Sequence, residues 1–389
     1  MTGKTTSIEK VLRKEQIMKF TCEKFLLLSA ILTASRGAAT KSPVPLLDGL
    51  LVVAEEESVK ISGYDLKTGI VTTFPAEVEE SGGIVLNARL FGEIIRKMPG
   101  QYVSISVNSG FLAQISSEMS DFEILGSPSS DYPELPMVDG QDSIEIGEAV
   151  LKKMISQTIF AVSDNESRPI HTGALFEAGK DELTIVAIDG YRLALRREPM
   201  KNDNTQLFSF VVPGTALSEV ERIATDGDGT ITITLGTKHI MFLIGETVLI
   251  SRRLEGEFLN YRNSIPQTSK YKFKVIKDNM ISAVERVALI INEKMKSPVK
   301  CVFDDGIMKL YSATALGKAS DECGMDGDGE ELEIGFNDKY LIEAIKAAPA
   351  SEVILELSTG VTPCVISPAD DKNNFLYMIL PVRLKAYDS

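Results

Sequence analysis

Apolar residues recur along this chain at two spacings. In some stretches they fall three and four apart, the period of a helix buried on one face. In others they alternate or form short runs bounded by turn residues, as strands do. The helical spacing appears in Phe20–Arg36, Ile146–Val162 and Ile276–Asn292. It appears again in Asn87–Met98, Pro213–Ala224 and Asn337–Ala348, each with Gly or Asn at its first or second position and each followed by a turn and a β-rich run (YVSISV, TITITL, EVILEL). Two helices and several strands therefore recur about every 125 residues. That period is too long for a solenoid and suits whole α+β domains. The segments SDYPELP and LNYRNSIP mark the joints, because an aromatic and a proline after an extended run make a stiff connector. The expected units are 18–140, 141–268 and 269–389, with 1–17 as an N-terminal extension expected to be disordered.

Composition narrows the class. With 389 residues, 44% hydrophobic and 25% charged, three globular units each have enough chain for a core. The polar start MTGKTTSIEKVLRKEQI has no hydrophobic signal region, and no apolar run reaches membrane-spanning length. Cys22, Cys301, Cys323 and Cys364 are scattered, as core thiols of a reducing compartment would be. A cytoplasmic protein is expected.

Charge changes the picture. The net charge of −14 argues against a polyanionic partner when taken alone. Yet the six helical segments hold 12 basic and 9 acidic residues, while the remainder holds 29 and 46. Amphipathic helices often carry Lys and Arg toward solvent; the sharper reading is a helical surface facing a polyanion within an acidic shell. On that reading Arg89, Arg96, Lys97, Lys152, Lys153, Arg222, Lys277, Arg286, Lys339 and Lys346 are the candidate contacts.

Catalytic signals are poor. His171 and His239 lie far apart, and no phosphate loop or nucleophile elbow occurs. The DGDG runs at Asp226–Gly229 and Asp326–Gly329 lack the glycine and glutamate that a calcium loop needs. No metal, cofactor or catalytic residue is expected. The most distinctive segments are Ile188–Arg196 (IDGYRLALR) and Tyr377–Leu384 (YMILPVRL), which together suggest an apolar groove with an arginine rim, suited to a short peptide.

These segments, with the MKF at Met18, the NYR…IP connector, Asn292–Lys294 (NEK) and the terminal LPVRL, resemble in order and spacing the bacterial DNA polymerase III beta subunits, the sliding clamps, from Met18 to Leu384. The resemblance implies three clamp-fold domains, a head-to-tail homodimer closed into a ring around duplex DNA, and no catalysis. Replicative polymerase, clamp-loader subunits and other proteins with a clamp-binding motif are the implied partners. It implies a partner-peptide pocket at Arg168, His171, Ile188, Gly190, Tyr191, Arg192, Leu193, Leu259, Ser264, Pro363, Met378, Leu380, Pro381, Val382 and Arg383. Asn263 and Ser264 stand where an arginine and an apolar residue are common in relatives, and Tyr191 where histidine is frequent. A ring-closing contact is implied between Phe122 and Ile124 on one side and Leu289 and Ile290 on the other. Lys41 and Asn165 join the DNA-facing set, while Gly214 and Thr215 replace basic residues frequent there. Two rival readings are a three-domain enzyme and a peptide-binding scaffold that never encircles DNA. The first needs a pocket of perturbed titratable groups, the second length-independent binding to DNA.

Overall fold

The computed structural model describes residues 16–39, 42, 44–140, 142–200, 208–291, 297–327, 331–370 and 374–384. Six α-helices are present among them: α1 (Lys24–Ala34), α2 (Ala88–Lys97), α3 (Glu148–Ser156), α4 (Gly214–Ile223), α5 (Lys277–Ala288) and α6 (Asp338–Ala347). They alternate with antiparallel strands in the expected α+β pattern.

The first helix of each repeat is shorter than its apolar pattern suggested. Phe20–Glu23 belongs to the strand Gln16–Glu23, Ile146 to Asp142–Gly147 and Ile276 to Tyr271–Ile276. The strand's alternation runs into the helix without a break, so buried Phe20 and Cys22 read as one more helical turn. Gln16 and Ile17, assigned to the extension, lie in this strand, where Gln16 pairs with Asn108. The extension is thus shorter than 1–17 by at least these two residues.

The repeat is written in hydrogen bonds. The first residue of α1, α3 and α5 donates its backbone N–H to the turn after the second helix: Lys24 to Gln101 at 2.8 Å, Glu148 to Gly229 at 2.8 Å, Lys277 to Ser351 at 2.9 Å. The side chain at that position then serves the end of the second helix. Lys24 Nζ reaches the Met98 carbonyl at 2.5 Å, and Lys277 Nζ reaches those of Lys346 and Ala348 at 2.8 and 2.6 Å. A cation there satisfies orphan carbonyls at the negative end of the helix dipole. The middle repeat inverts the sign, with Glu148 accepting the Thr225 N–H at 2.5 Å. Asn87 and Asn337 cap α2 and α6 by accepting from Leu90 and Tyr340.

The chain forms two compact units, 1–148 with 222–252 and 149–221 with 253–389. The first holds a five-stranded and a nine-stranded sheet, the second a twelve-stranded sheet. The nine-stranded sheet is continuous because Thr68–Pro75 pairs with Thr247–Arg252. In the second unit Arg192–Pro199 pairs with Phe375–Ile379 in the same way. Each pairing joins the last strand of one hairpin meander to the last strand of the next repeat. Cys22, Cys301, Cys323 and Cys364 are all buried thiols. Among the described residues, no helix is long and apolar enough to cross a membrane.

Candidate functional site

The two distinctive segments meet in the second unit. Arg192–Arg196 lies antiparallel to Phe375–Ile379, which puts Leu193 opposite Met378. Ile188, Leu193 and Met378 share one apolar cluster with Leu175, Val211 and Tyr261, and Ile170 and Phe258 pack against it. The turn Asp189–Tyr191 is closed by the Asp189 carboxylate, which accepts the N–H groups of Tyr191 and Arg192 at 2.8 and 3.0 Å. Gly190 has φ +93°, a left-handed conformation in which a side chain is strained. Beyond the strand, the Leu380 N–H donates to the Tyr191 carbonyl and the Val382 N–H to that of Gly335, both at 2.8 Å. A Cβ on Gly335 would come within 2.5 Å of the Val382 carbonyl oxygen, so glycine permits the approach. Leu380 stays exposed above this framework.

The remaining expected pocket residues sit on the neighbouring segments. Arg168 precedes the short turn Pro169–Thr172, and the His171 ring packs edge-on against Phe258, with centroids 5.6 Å apart. Partial burial and the Arg168 charge hold the His171 imidazole below its usual pKa, which favours the neutral ring. Leu259 is exposed on the connector, Ser264 ends the turn Tyr261–Ser264, and Pro363 precedes the strand Cys364–Pro368. Pro381 and Arg383 flank Val382, with Arg383 exposed. The connector is pinned from below. Tyr261 Oη donates to Glu177 Oε2 at 2.6 Å, and Arg262 grips the same carboxylate at 2.7 and 3.0 Å. Burial and that carboxylate raise the Tyr261 pKa.

Arg192 differs from the expected rim. Its side chain is only 10% exposed, and it bonds Asp189 at 2.8 Å and Glu343 of α6. Its guanidinium lies 4.4 Å from the Tyr340 ring centroid, and Tyr340 stacks on Tyr191. The charge is spent inside the fold, where it ties the pocket turn to α6. Among the expected pocket residues, the exposed arginines are Arg168 and Arg383.

The helices carry a second constellation. Counted from their caps, Arg89, Thr215 and Lys339 are equivalent, as are Arg96, Arg222 and Lys346, with Glu93, Glu219 and Glu343 between them. Seven residues is two turns, so each pair lies on one face. Arg89, Arg96, Lys97, Arg222, Lys339 and Lys346 are exposed. Arg96 pairs with Glu93, and Lys346 with Glu285 at 2.6 Å. On the first helices Lys153 is exposed, Lys152 half-buried, and Arg286 pairs with Asp321. Lys277 is committed to the α6 carbonyls, so its expected role facing DNA is replaced by a structural one. Asn165 is exposed, its side chain accepting the Ser167 N–H at 3.0 Å. Lys41 and Asn292–Lys294 lie outside the described residues. Arg36, which the sequence reading did not single out, is exposed two residues past the end of α1, in step with the exposed Phe25, Ser29 and Leu32 of that helix. Its spacing of four from Leu32 was the available signal.

The expected ring-closing residues lie at a sheet edge and at a helix end. Phe122 and Ile124 are on Ser120–Leu125, the edge strand of the five-stranded sheet, where Phe122, Leu125 and adjacent Met119 are exposed. Leu289 is 83% exposed just past α5, and Ile290 is half-buried.

Family models cover nearly all of this framework. Those for the N-terminal, central and C-terminal domains of the DNA polymerase III beta subunit match residues 18–136, 145–260 and 262–383. This chain belongs to the DNA polymerase III beta subunit family. The beta sliding clamp of Halalkalibacterium halodurans is 31% identical over 379 residues, covering 94% of this chain and 100% of the relative. The Bacillus subtilis sliding-clamp structure superposes with TM-score 0.90 at 30% identity, covering 95% of this chain and 100% of the other. That of the Eubacterium rectale DNA polymerase III beta subunit gives 0.89 at 32%, covering 94% and 99%. Beta clamps are non-catalytic processivity factors with three domains of one α+β fold. They encircle duplex DNA and tether polymerases and clamp-loader subunits through a hydrophobic pocket. Family membership accounts for the poverty of catalytic groups: a topological tether needs no reacting side chain.

Proposed function

We propose that two copies of this chain close head to tail into a ring, with domains near 18–140, 141–268 and 269–389. The carrying observation is the repeated joint. Thr68–Thr72 pairs with Thr247–Ser251, and Arg192–Arg196 pairs with Phe375–Ile379. Counted from the first cross-strand pairs Ser58–Pro75, Glu182–Pro199 and Ile307–Gly324, the third strand of this kind is Gly317–Asp321. The third strand of the complementary kind is Ser120–Ile124. Neither has such a partner among the described residues, so a second copy supplies it. That register sets Ala319 against Phe122 and Lys318 against Glu123, and it gives the exposed apolar edge a cover.

The pocket of Arg168, His171, Ile188, Gly190, Tyr191, Leu193, Leu259, Ser264, Pro363, Met378, Leu380, Pro381, Val382 and Arg383 then takes partner tails, with Arg192 as its internal brace. Arg89, Arg96, Lys97, Lys152, Lys153, Asn165, Arg222, Arg286, Lys339 and Lys346 face the DNA in a cytoplasmic ring. Because the link is topological, these contacts need no fixed register. Retention on nicked circular DNA, lost on linearisation, tests encirclement. Multi-angle light scattering tests closure: wild type should run as a dimer, and Phe122→Asp or Leu289→Asp as a monomer with an unchanged far-UV spectrum. A dimer that survives both substitutions refutes this interface.

A further inference from the structure

We infer that a second groove beside the pocket receives an extended, basic segment of the partner tail by strand addition; the inference rests on the peptide-pocket reading above. Phe208–Pro213 is an outermost strand of the twelve-stranded sheet. The Val211 carbonyl accepts the Leu254 N–H at 3.0 Å, so the polar backbone of Val211 points outward from the sheet. In an antiparallel pair both groups of a residue point the same way and alternate along the strand. Ser209 therefore presents its own N–H and C=O outward, and Pro213, also outward, has no N–H to leave unpaired.

Past Leu254 the chain swings away and returns, enclosing a groove of about 580 Å³ between this edge and residues 253–262. Its walls are fixed before any ligand arrives. Leu254 is hydrogen-bonded to Val211 at one end, and Tyr261 and Arg262 are anchored on Glu177 at the other. Gly256, at φ +129°, makes the bend between them. An open edge between rigid walls is the geometry of strand addition, where backbone bonds give affinity and flanking groups give selectivity.

Continuity and charge identify the occupant. Leu175, Val211 and Tyr261 beneath the groove belong to the same apolar cluster as Ile188, Leu193 and Met378 of the pocket, and Leu259 lines the groove from the pocket side. A tail anchored in the pocket has only to continue in extended form to enter. Glu255 and Glu257 are exposed along the groove and Arg253 stands at its near end, while Glu177 is neutralised by Arg262. Two carboxylates against one guanidinium favour a lysine- or arginine-bearing segment.

Fluorescence anisotropy with three labelled peptides tests this on the full-length protein. One is a hexapeptide whose only apolar residues are two leucines and a phenylalanine. The other two extend it by five residues containing two lysines, at the amino or the carboxyl end. At least one long peptide should bind roughly tenfold tighter than the short one, as expected for one or two additional net hydrogen bonds with a charge contact. Ser209→Pro, which removes the outward N–H without removing a backbone hydrogen bond within the sheet, should abolish that advantage and leave the short peptide unaffected. The double variant E255Q/E257Q should reduce the advantage and its dependence on salt. Equal binding of short and long peptides, or an advantage that survives both variants, overturns the inference. Should the short peptide fail to bind wild type, the pocket reading falls instead. The groove is then judged from the long peptides alone, supported by sensitivity to Ser209→Pro and overturned by its absence.

Discussion

The proposed peptide pocket and the basic positions on the helices use charge in opposite ways. At the proposed pocket, Arg192 is largely covered and engaged by Asp189, Glu343 and the Tyr340 ring, and it holds a turn in shape. On the helices, Arg89 and Lys97 stand exposed, and the position of Arg96 is basic again at Arg222 and Lys346. A short peptide must bind a preorganised surface, because each group ordered on binding subtracts from affinity. A polyelectrolyte that slides must meet charges that fix nothing. One surface is thus built by packing and the other by repetition, and substitutions should separate them.

Replacing the exposed Leu380 with Asp gives the largest separation. The side chain lies outside the packed cluster, so thermal stability should hold while tail-peptide affinity falls about 100-fold, as for loss of a central apolar anchor and burial of a charge. Anisotropy titration beside a melting curve measures both, and DNA retention should not change. Next comes Arg192→Gln. It leaves Asp189 and Glu343 without their cation, at a cost of about 2–3 kcal/mol in stability. Denaturant midpoints measure the loss. If Arg192 acted as a rim charge instead, peptide affinity would fall with stability intact.

A smaller effect separates the surfaces by pH. His171 is held neutral by burial and by Arg168, with a folded pKa below its usual 6.5. The unfolded chain therefore takes up a proton more readily than the folded one. Stability contributed by the neutral ring is complete above about pH 6.5 and declines as pH falls toward the folded value. Wild type should lose more stability between pH 7.5 and 5.5 than His171→Leu, in paired urea titrations. An equal loss would mean that the ring is not protected.

Much of this was legible in the chain, for reasons that can be named. The three repeats, the paired helices and both pocket segments were readable because periodicity and turn residues are local signals. Helix starts were not, since Phe20–Glu23 continues the apolar rhythm of α1 across a change of backbone. The fate of a charge is also set by tertiary neighbours. Nothing in IDGYRLALR says that Glu343, some 150 residues away, will take Arg192, and nothing around Lys277 says that it will cap α6. The groove beside Ser209 comes from an unpaired edge and a distant connector, which no local pattern encodes.

The smallest effect belongs to single charges on the helices, and it gives the sharpest contrast. Arg89 and Lys277 were both expected to face DNA; Arg89 is exposed, whereas Lys277 spends its ammonium on the carbonyls of Lys346 and Ala348. Arg89→Gln should lower the slope of log retention against log salt by about one, the loss of one phosphate contact, with no change in melting. Lys277→Met should do the reverse: it removes the cation from the end of α6 and lowers stability by about 1 kcal/mol while the salt slope stays as in wild type. If both variants shifted the slope equally, Lys277 would leave its carbonyls when DNA arrives. Structural and exposed cations on the helices would then respond to DNA alike.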